Sequence, residues 1–289
     1  MDVKTQSLRD VLPPDLPDAA ASNAPRADIR ANQGWGGFVW FLIKLLIAVL
    51  AFRTLVFSPF SIPSESMLPR LMNGDYLLAA KWPYGISRHS LPFDLPLPEG
   101  RLLASPPERG DIVIFKHPID GRDYIKRVIG LPGDTVSVVG GQVVLGGTPV
   151  PRVAMADALI VQSPNTGCEW GGELVQRDDG GAACRYTAFR ETLPGGKSYT
   201  VLDFGMTQGD GFAPKTVPEG MMFVMGDNRD NSRDSRFDAA EGDAVGLVPQ
   251  DLLVGRASII VWSTDGSADW LMPWTWFSAA RWDRIGDGL

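Results

Sequence analysis

The sequence is poor in the residues that most metal, redox and proton-transfer sites are built from, with two cysteines and two histidines in 289 residues. No H-E-x-x-H pair, Walker A loop or dinucleotide-binding glycine fingerprint occurs, so neither a metal nor a cofactor is expected. A Ser-His-Asp hydrolase would have to recruit His89 or His117, and there is no G-x-S-x-G elbow to carry its serine. His117 stands before Pro118 at the end of a predicted strand and reads as an exposed turn residue. Histidine is therefore not the expected base. A basic excess is missing too: 27 Lys and Arg against 34 Asp and Glu leave a net charge of −7. That balance excludes a polyanion-binding surface, and with it nucleic acid as a partner.

The two cysteines, Cys168 and Cys184, fit neither a C-x-x-C redox pair nor a zinc site. Two readings stay open: a disulfide closing a loop in an oxidising compartment, worth about 3 kcal/mol, or a pair of buried free thiols.

With 44% hydrophobic and 21% charged residues, the chain is globular and has a sizeable core to bury. Residues 1–34 mix Pro, Asp, Ala, Asn and Arg without apolar periodicity and read as a disordered cytoplasmic tail. From Phe38 to Phe57 the run FVWFLIKLLIAVLAFRTLVF is apolar apart from Lys44 and Arg53. Its length suits a bilayer core of about 30 Å, so residues 35–57 are expected to form a transmembrane signal-anchor helix, with a buried core helix as the alternative. A cleavable signal is disfavoured, because the run starts far from Met1 and no small-x-small site comes after it. Arg26 and Arg30 before the run and Arg53 at its far end leave the orientation undecided by charge.

Beyond Pro59 the pattern changes to short β-prone runs separated by turn residues. DIVIF (Asp111 to Phe115), YIKRVIG (Tyr124 to Gly130), MMFVM (Met221 to Met225) and RASIIVW (Arg256 to Trp262) read as strands. LPGD, Leu131 to Asp134, reads as a turn, and TVSVV, Gly140-Gly141 and QVVL form a hairpin signal. The fold is thus expected to be mainly β, with a catalytic β domain over 58–150 and 219–289 and a smaller inserted β subdomain over 151–218.

Just past the apolar run, Ser58 to Leu78 packs small hydroxyls between prolines, and Pro63 and Pro69 stiffen the loop that presents Ser64 and Ser66. Taken alone, Ser66 is a turn hydroxyl. Strand alternation places Tyr124, Lys126 and Val128 on one face, where an aromatic and a β-branched neighbour would desolvate the amine. Taken alone, Lys126 is an exposed strand lysine.

Three blocks change that balance. IPSESMLPRL, YIKRVIGLPGD and GDNRDNSRDSR together resemble, in order and spacing, the defining blocks of bacterial type I signal peptidases. The resemblance runs from the apolar run to the terminal RIG and is weakest over Pro151 to Pro218. It implies a signal-peptidase-like β-fold and a Ser/Lys dyad, with Ser66 as nucleophile and Lys126 as general base. It also implies an oxyanion site from the Ser66 N–H and the Ser64 hydroxyl, Ser232 orienting the amine, and a supporting Asp234–Arg236 ion pair, with Asp227 and Asn228 shaping the same loop. A glycine is common in that family where this chain has Glu65, which is tolerated if the backbone there keeps φ below zero. The implied substrate pocket, lined by Phe60, Ile62, Pro63, Met67, Leu71, Tyr124 and Ile125, would take Ala at the −1 and −3 positions of a preprotein signal peptide.

The resemblance further implies a monomeric endopeptidase in the cytoplasmic (inner) membrane. It would be single-pass, with its catalytic domain on the periplasmic side, the lipid bilayer and exported preproteins as partners, and no cofactor. Trp270, Trp274, Trp276 and Trp282, with Arg281 and Arg284 nearby, read either as a headgroup-facing surface or as ordinary packing on the sheet. A self-cleaving repressor-type relative is disfavoured by the apolar run and the missing DNA-binding module. A dedicated pilin-maturation Ser/Lys peptidase and a non-catalytic β-domain that binds exported chains are the remaining alternatives.

Overall fold

A computed structural model describes residues 35–87, 100–168, 171–269 and 271–289; the expected disordered tail lies outside them. The mainly β expectation holds. A seven-stranded sheet runs in the order Phe57–Ser61, Asp75–Ala80, Leu253–Ser263, Ile112–Lys116, Asp123–Gly130, Met221–Met225, Val248–Pro249, and every neighbouring pair is antiparallel.

Its central strands are apolar on both faces. Ile112, Ile114 and Ile125 pack with Leu77 and Ile260 on one side, whereas Val113, Phe115 and Val128 pack with Met222, Val224 and Leu253 on the other. This two-sided burial is why DIVIF reads as an unbroken apolar run rather than an alternating one.

A second sheet joins Gly211–Thr216, Thr135–Val139, Gln142–Leu145 and Thr148–Pro149. Its hairpin turns at Gly140 and Gly141, whose φ values of 56° and 77° match the left-handed pair that a two-residue turn requires. Between these sheets in sequence lie two three-stranded sheets, one of Arg152–Ala154, Ala188–Thr192 and Ser198–Leu202, the other of Ala158–Val161, Ala182–Tyr186 and Glu173–Gln176. Because Gly211–Thr216 pairs with Thr135–Val139, one sheet contains residues from both sides of position 151.

The open question about the cysteines is answered by a Cys168–Cys184 disulfide, which ties the loop at 168 to the strand Ala182–Tyr186 across a separation of 16 residues. Cys184 is fully buried. Replacing both cysteines by alanine is expected to lower the unfolding free energy by about 2–4 kcal/mol, read from denaturant melts. Equal midpoints for the two proteins would contradict that.

The transmembrane expectation is corrected. Among the described residues, no helix is long and apolar enough to cross a membrane. The run forms a helix over Trp35–Leu55, but it stops there, and Phe57 already opens the first strand of the main sheet. Lys44 interrupts it midway and Gly36 and Gly37 open it, and a cation near mid-bilayer costs about 2.5–3.5 kcal/mol. The transmembrane signal-anchor helix over 35–57, the single-pass inner-membrane localisation with a periplasmic domain and the lipid-bilayer partner all rested on that run, and all are withdrawn.

The C-terminal tryptophans and arginines, read either as a headgroup-facing surface or as packing on the sheet, separate in the structure. Trp274 and Trp282 are exposed, and Trp270 lies outside the described residues. The arginines turn inward instead: Arg281 donates to the Asn73 carbonyl and to Asn165, while Arg284 binds the fully buried Asp75.

Candidate active site

Ser66 sits in a turn anchored from both sides. Ahead of it, Ile62 exchanges backbone hydrogen bonds with Asp75 and Gly74; behind it, Leu68 donates to the Glu65 carbonyl and Leu71 to that of Met67. Met67, Leu68 and Leu71 are buried at 1%, 0% and 0% exposure, so the turn is held by its own apolar side chains in the core. Glu65 keeps an ordinary backbone, since Leu103 is the one non-glycine residue with positive φ among the described residues.

Lys126 arrives from the strand Asp123–Gly130, directly opposite Val113 of its neighbour. Its amine donates to Ser66 Oγ at 2.6 Å, with both residues buried. Burial pushes the amine down from 10.5 to about 8; Asp234 and Asp227 pull it up, and Arg236 lowers it further. Desolvation wins because the two carboxylates are already committed to arginines. Arg127 grips Asp227 through Nε at 2.7 Å and Nη2 at 2.6 Å. Arg236 grips Asp234 through Nε at 2.8 Å and Nη2 at 2.9 Å. Burial raises the Asp234 carboxyl, but Arg236 and the Gly226 N–H together hold it below its usual value.

The third block wraps behind Ser66. Asn228 donates its backbone N–H to the Ser66 carbonyl at 3.1 Å and its side-chain amide to the Glu65 carbonyl at 3.2 Å. Asp234 accepts from the Gly226 N–H at 3.0 Å. Ser232 is buried beside Gly226, but among the described residues Lys126 donates to Ser66 and not to Ser232. Arg229 of the same block forms a buried bidentate pair with Glu191, which the Tyr199 hydroxyl also reaches at 3.0 Å. The block is thereby fixed to the segment that the sequence left hardest to parse.

Ser66 and Lys126 open into a cavity of about 400 Å³. Of the expected pocket residues, Phe60, Ile62, Pro63, Tyr124 and Ile125 line it, as does the exposed Ser64. Met67 and Leu71 belong to the core behind it. Sequence reasoning missed Ile114, which faces Ile125 across the strand pair and was implied once Ile125 was named. It also missed the polar rim of Arg122, Asn231, Arg233 and Asp243. His117 is the other difference: it is buried, with Nδ1 accepting from the Ile119 and Asp120 N–H groups and Nε2 facing the Ala244 carbonyl. Pro118 and the tight turn after it curl the chain back over the imidazole, which hides it from solvent.

Residues 35–262 match the family described as signal peptidase, peptidase S26. The chain belongs to that family. Signal peptidase I of Rickettsia massiliae is 34% identical over 245 residues, covering 81% of this chain and 80% of its own. That of Rickettsia typhi is 35% identical over 237 residues, covering 78% and 80%. A crystal structure of a signal peptidase I from Enterococcus faecalis, 26% identical, covers 53% of this chain and 98% of its own with a TM-score of 0.28. As a signal peptidase of the type I kind, the chain is a serine endopeptidase.

Proposed function

We propose that this peptidase cleaves signal peptides from exported preproteins through an ester on Ser66, with Lys126 as general base. The observation that carries the reading is the buried 2.6 Å contact from the Lys126 amine to Ser66 Oγ. In its neutral form that amine accepts the Ser66 proton as Oγ attacks the scissile carbonyl carbon, and it passes the proton to the leaving amine as the C–N bond breaks. It then takes a proton from the water that hydrolyses the ester.

Negative charge on the carbonyl oxygen needs donors in place beforehand. The Ser66 N–H has no acceptor among the described residues, which leaves it free for that oxygen, and the Ser64 hydroxyl at the cavity wall is the second donor. Asn228 keeps the Ser66 peptide oriented by holding the two adjacent carbonyls. Ser232 and the Asp234–Arg236 pair fix the block against which the lysine packs. Walls of Phe60, Ile62, Pro63, Ile114, Tyr124 and Ile125 leave apolar room for small side chains, so alanine is favoured at −1 and −3.

The test is cleavage of a purified preprotein, with the new N-terminus determined by mass spectrometry. Ala at −1 should be processed, Phe at −1 should slow cleavage more than about 100-fold by steric exclusion, and Ser66→Ala should leave the preprotein intact. Product formed at the native site by folded Ser66→Ala would sink the assignment.

A further inference from the structure

A second cavity, about 590 Å³, lies apart from the catalytic one and shares none of its lining residues. The two meet the same strand pair at different points along it: Ile114, Ile125 and Lys126 line the catalytic cavity, whereas the cross-strand pair Ile112 and Arg127 lines the second. The cavity is cationic. Arg70, Arg127, Lys197, Arg256 and Arg284 line it, and Asp111 is its one acidic lining residue.

The pairing there is uneven. Arg127 is satisfied by Asp227 and by the Gly110 carbonyl, and Arg284 by Asp75. Asp111 is saturated, since the Tyr84 hydroxyl donates to it at 2.8 Å, the Glu108 N–H at 3.0 Å and Lys197 at 3.0 Å. Arg256 therefore reaches Asp111 only at 3.9 Å and stays 40% exposed. Arg70 donates to the Gly288 carbonyl and has no carboxylate partner among the described residues. Five cations thus face three carboxylates, and a carboxylate counted at Leu289 still leaves positive charge over. Like charges gathered in one concavity with low-dielectric walls focus the field on a counter-ion.

We propose that this cavity binds a small phosphate monoester, whose dianion meets the Arg70 and Arg256 guanidiniums. Guanidinium forks match phosphate oxygens, and the Lys197 ammonium adds a point charge beside them. The volume exceeds that of a bare phosphate, and Pro69, Ile112, Ala257 and Leu289 give the ester's carbon body an apolar wall. A monocarboxylate would leave one guanidinium unmatched.

The probe is phenyl phosphate, titrated calorimetrically into the full chain at constant ionic strength set with chloride, with inorganic phosphate alongside. Saturable binding of phenyl phosphate, tighter than inorganic phosphate, is the expected result. Arg70→Gln and Arg256→Gln should each weaken it about tenfold, as loss of a charge-assisted hydrogen bond does, with melting curves confirming that both half-exposed sites leave the fold intact. Ser66→Ala and Arg233→Gln, which alter the catalytic cavity, should bind as the unmodified chain does. The proposal is overturned by heat no greater than the chloride control, by weakening in Arg233→Gln but not in Arg256→Gln, or by binding only to vesicles containing phosphatidic acid.

Discussion

Replacing Lys126 by methionine is expected to lower kcat/KM by about 10³-fold, the scale of a lost general base, while making the protein more stable at neutral pH. Both effects have one cause. The amine is held near 8 mainly by burial, against 10.5 for an exposed lysine, so at pH 7 folding buries a charge that its surroundings disfavour. In the window between about 8 and 10.5 the unfolded chain binds the extra proton, so stability rises with pH across it; below about 8 both states are protonated and the full penalty applies. That penalty is on the order of 3 kcal/mol, and an apolar side chain of similar length removes it. Thermal melts should therefore show the variant's advantage largest below pH 8 and shrinking toward pH 10.5.

The same ionisation sets the rate profile of the unmodified enzyme. Only the neutral amine can accept the Ser66 proton, so kcat/KM should rise about tenfold per pH unit up to about pH 8 and level off above it. A profile that stays flat between pH 6 and 9 would rule out this lysine as the base.

Much of the site was legible because its chemistry sits in contiguous stretches. YIKR shows by alternation alone which way Lys126 points, and the structure pairs it with Val113 across the sheet. Ser66 was legible only in company: its setting in a proline-framed turn suits any loop hydroxyl, and the other two blocks gave it meaning. Long-range partners left no local trace. Nothing around Glu191 foretells its buried pairing with Arg229, 38 residues away. The polar rim of the cavity is assembled from turns whose side chains read as solvated.

The N-terminal run failed for a different reason. Hydropathy along a sequence counts residues without regard to where a helix ends, and here the helix yields to a strand before the apolar run is finished. His117 misled in a similar way, since a proline after a strand signals a turn but does not say that the turn will fold back over its own first residue.

Gly226→Ala is expected to cost about 100-fold in kcat with a smaller change in KM, the effect of moving a nucleophile by a fraction of its reach. A Cβ on Gly226 would lie 2.4 Å from Ser232 Oγ and 2.5 Å from the Ser66 carbonyl oxygen. Rotating the hydroxyl does not relieve this, because the Ser232 Cβ also lies at 2.5 Å, and the Ser66 carbonyl is held by the Asn228 N–H at 3.1 Å on a turn pinned by Met67 and Leu68. The Ser66 peptide must shift, and with it the N–H offered to the developing oxyanion and the 2.6 Å contact to Lys126. Overpacking of this kind destabilises by about 1–3 kcal/mol, so the variant should fold with a lowered Tm and bind substrate while turning it over slowly. Gly211→Ala is the matched control: no atom lies within 4 Å of its Cβ and its φ of −119° suits any residue. Should folded Gly226→Ala keep the kcat of the Gly211→Ala control, the close approach of the third block to the nucleophile is not what positions Ser66.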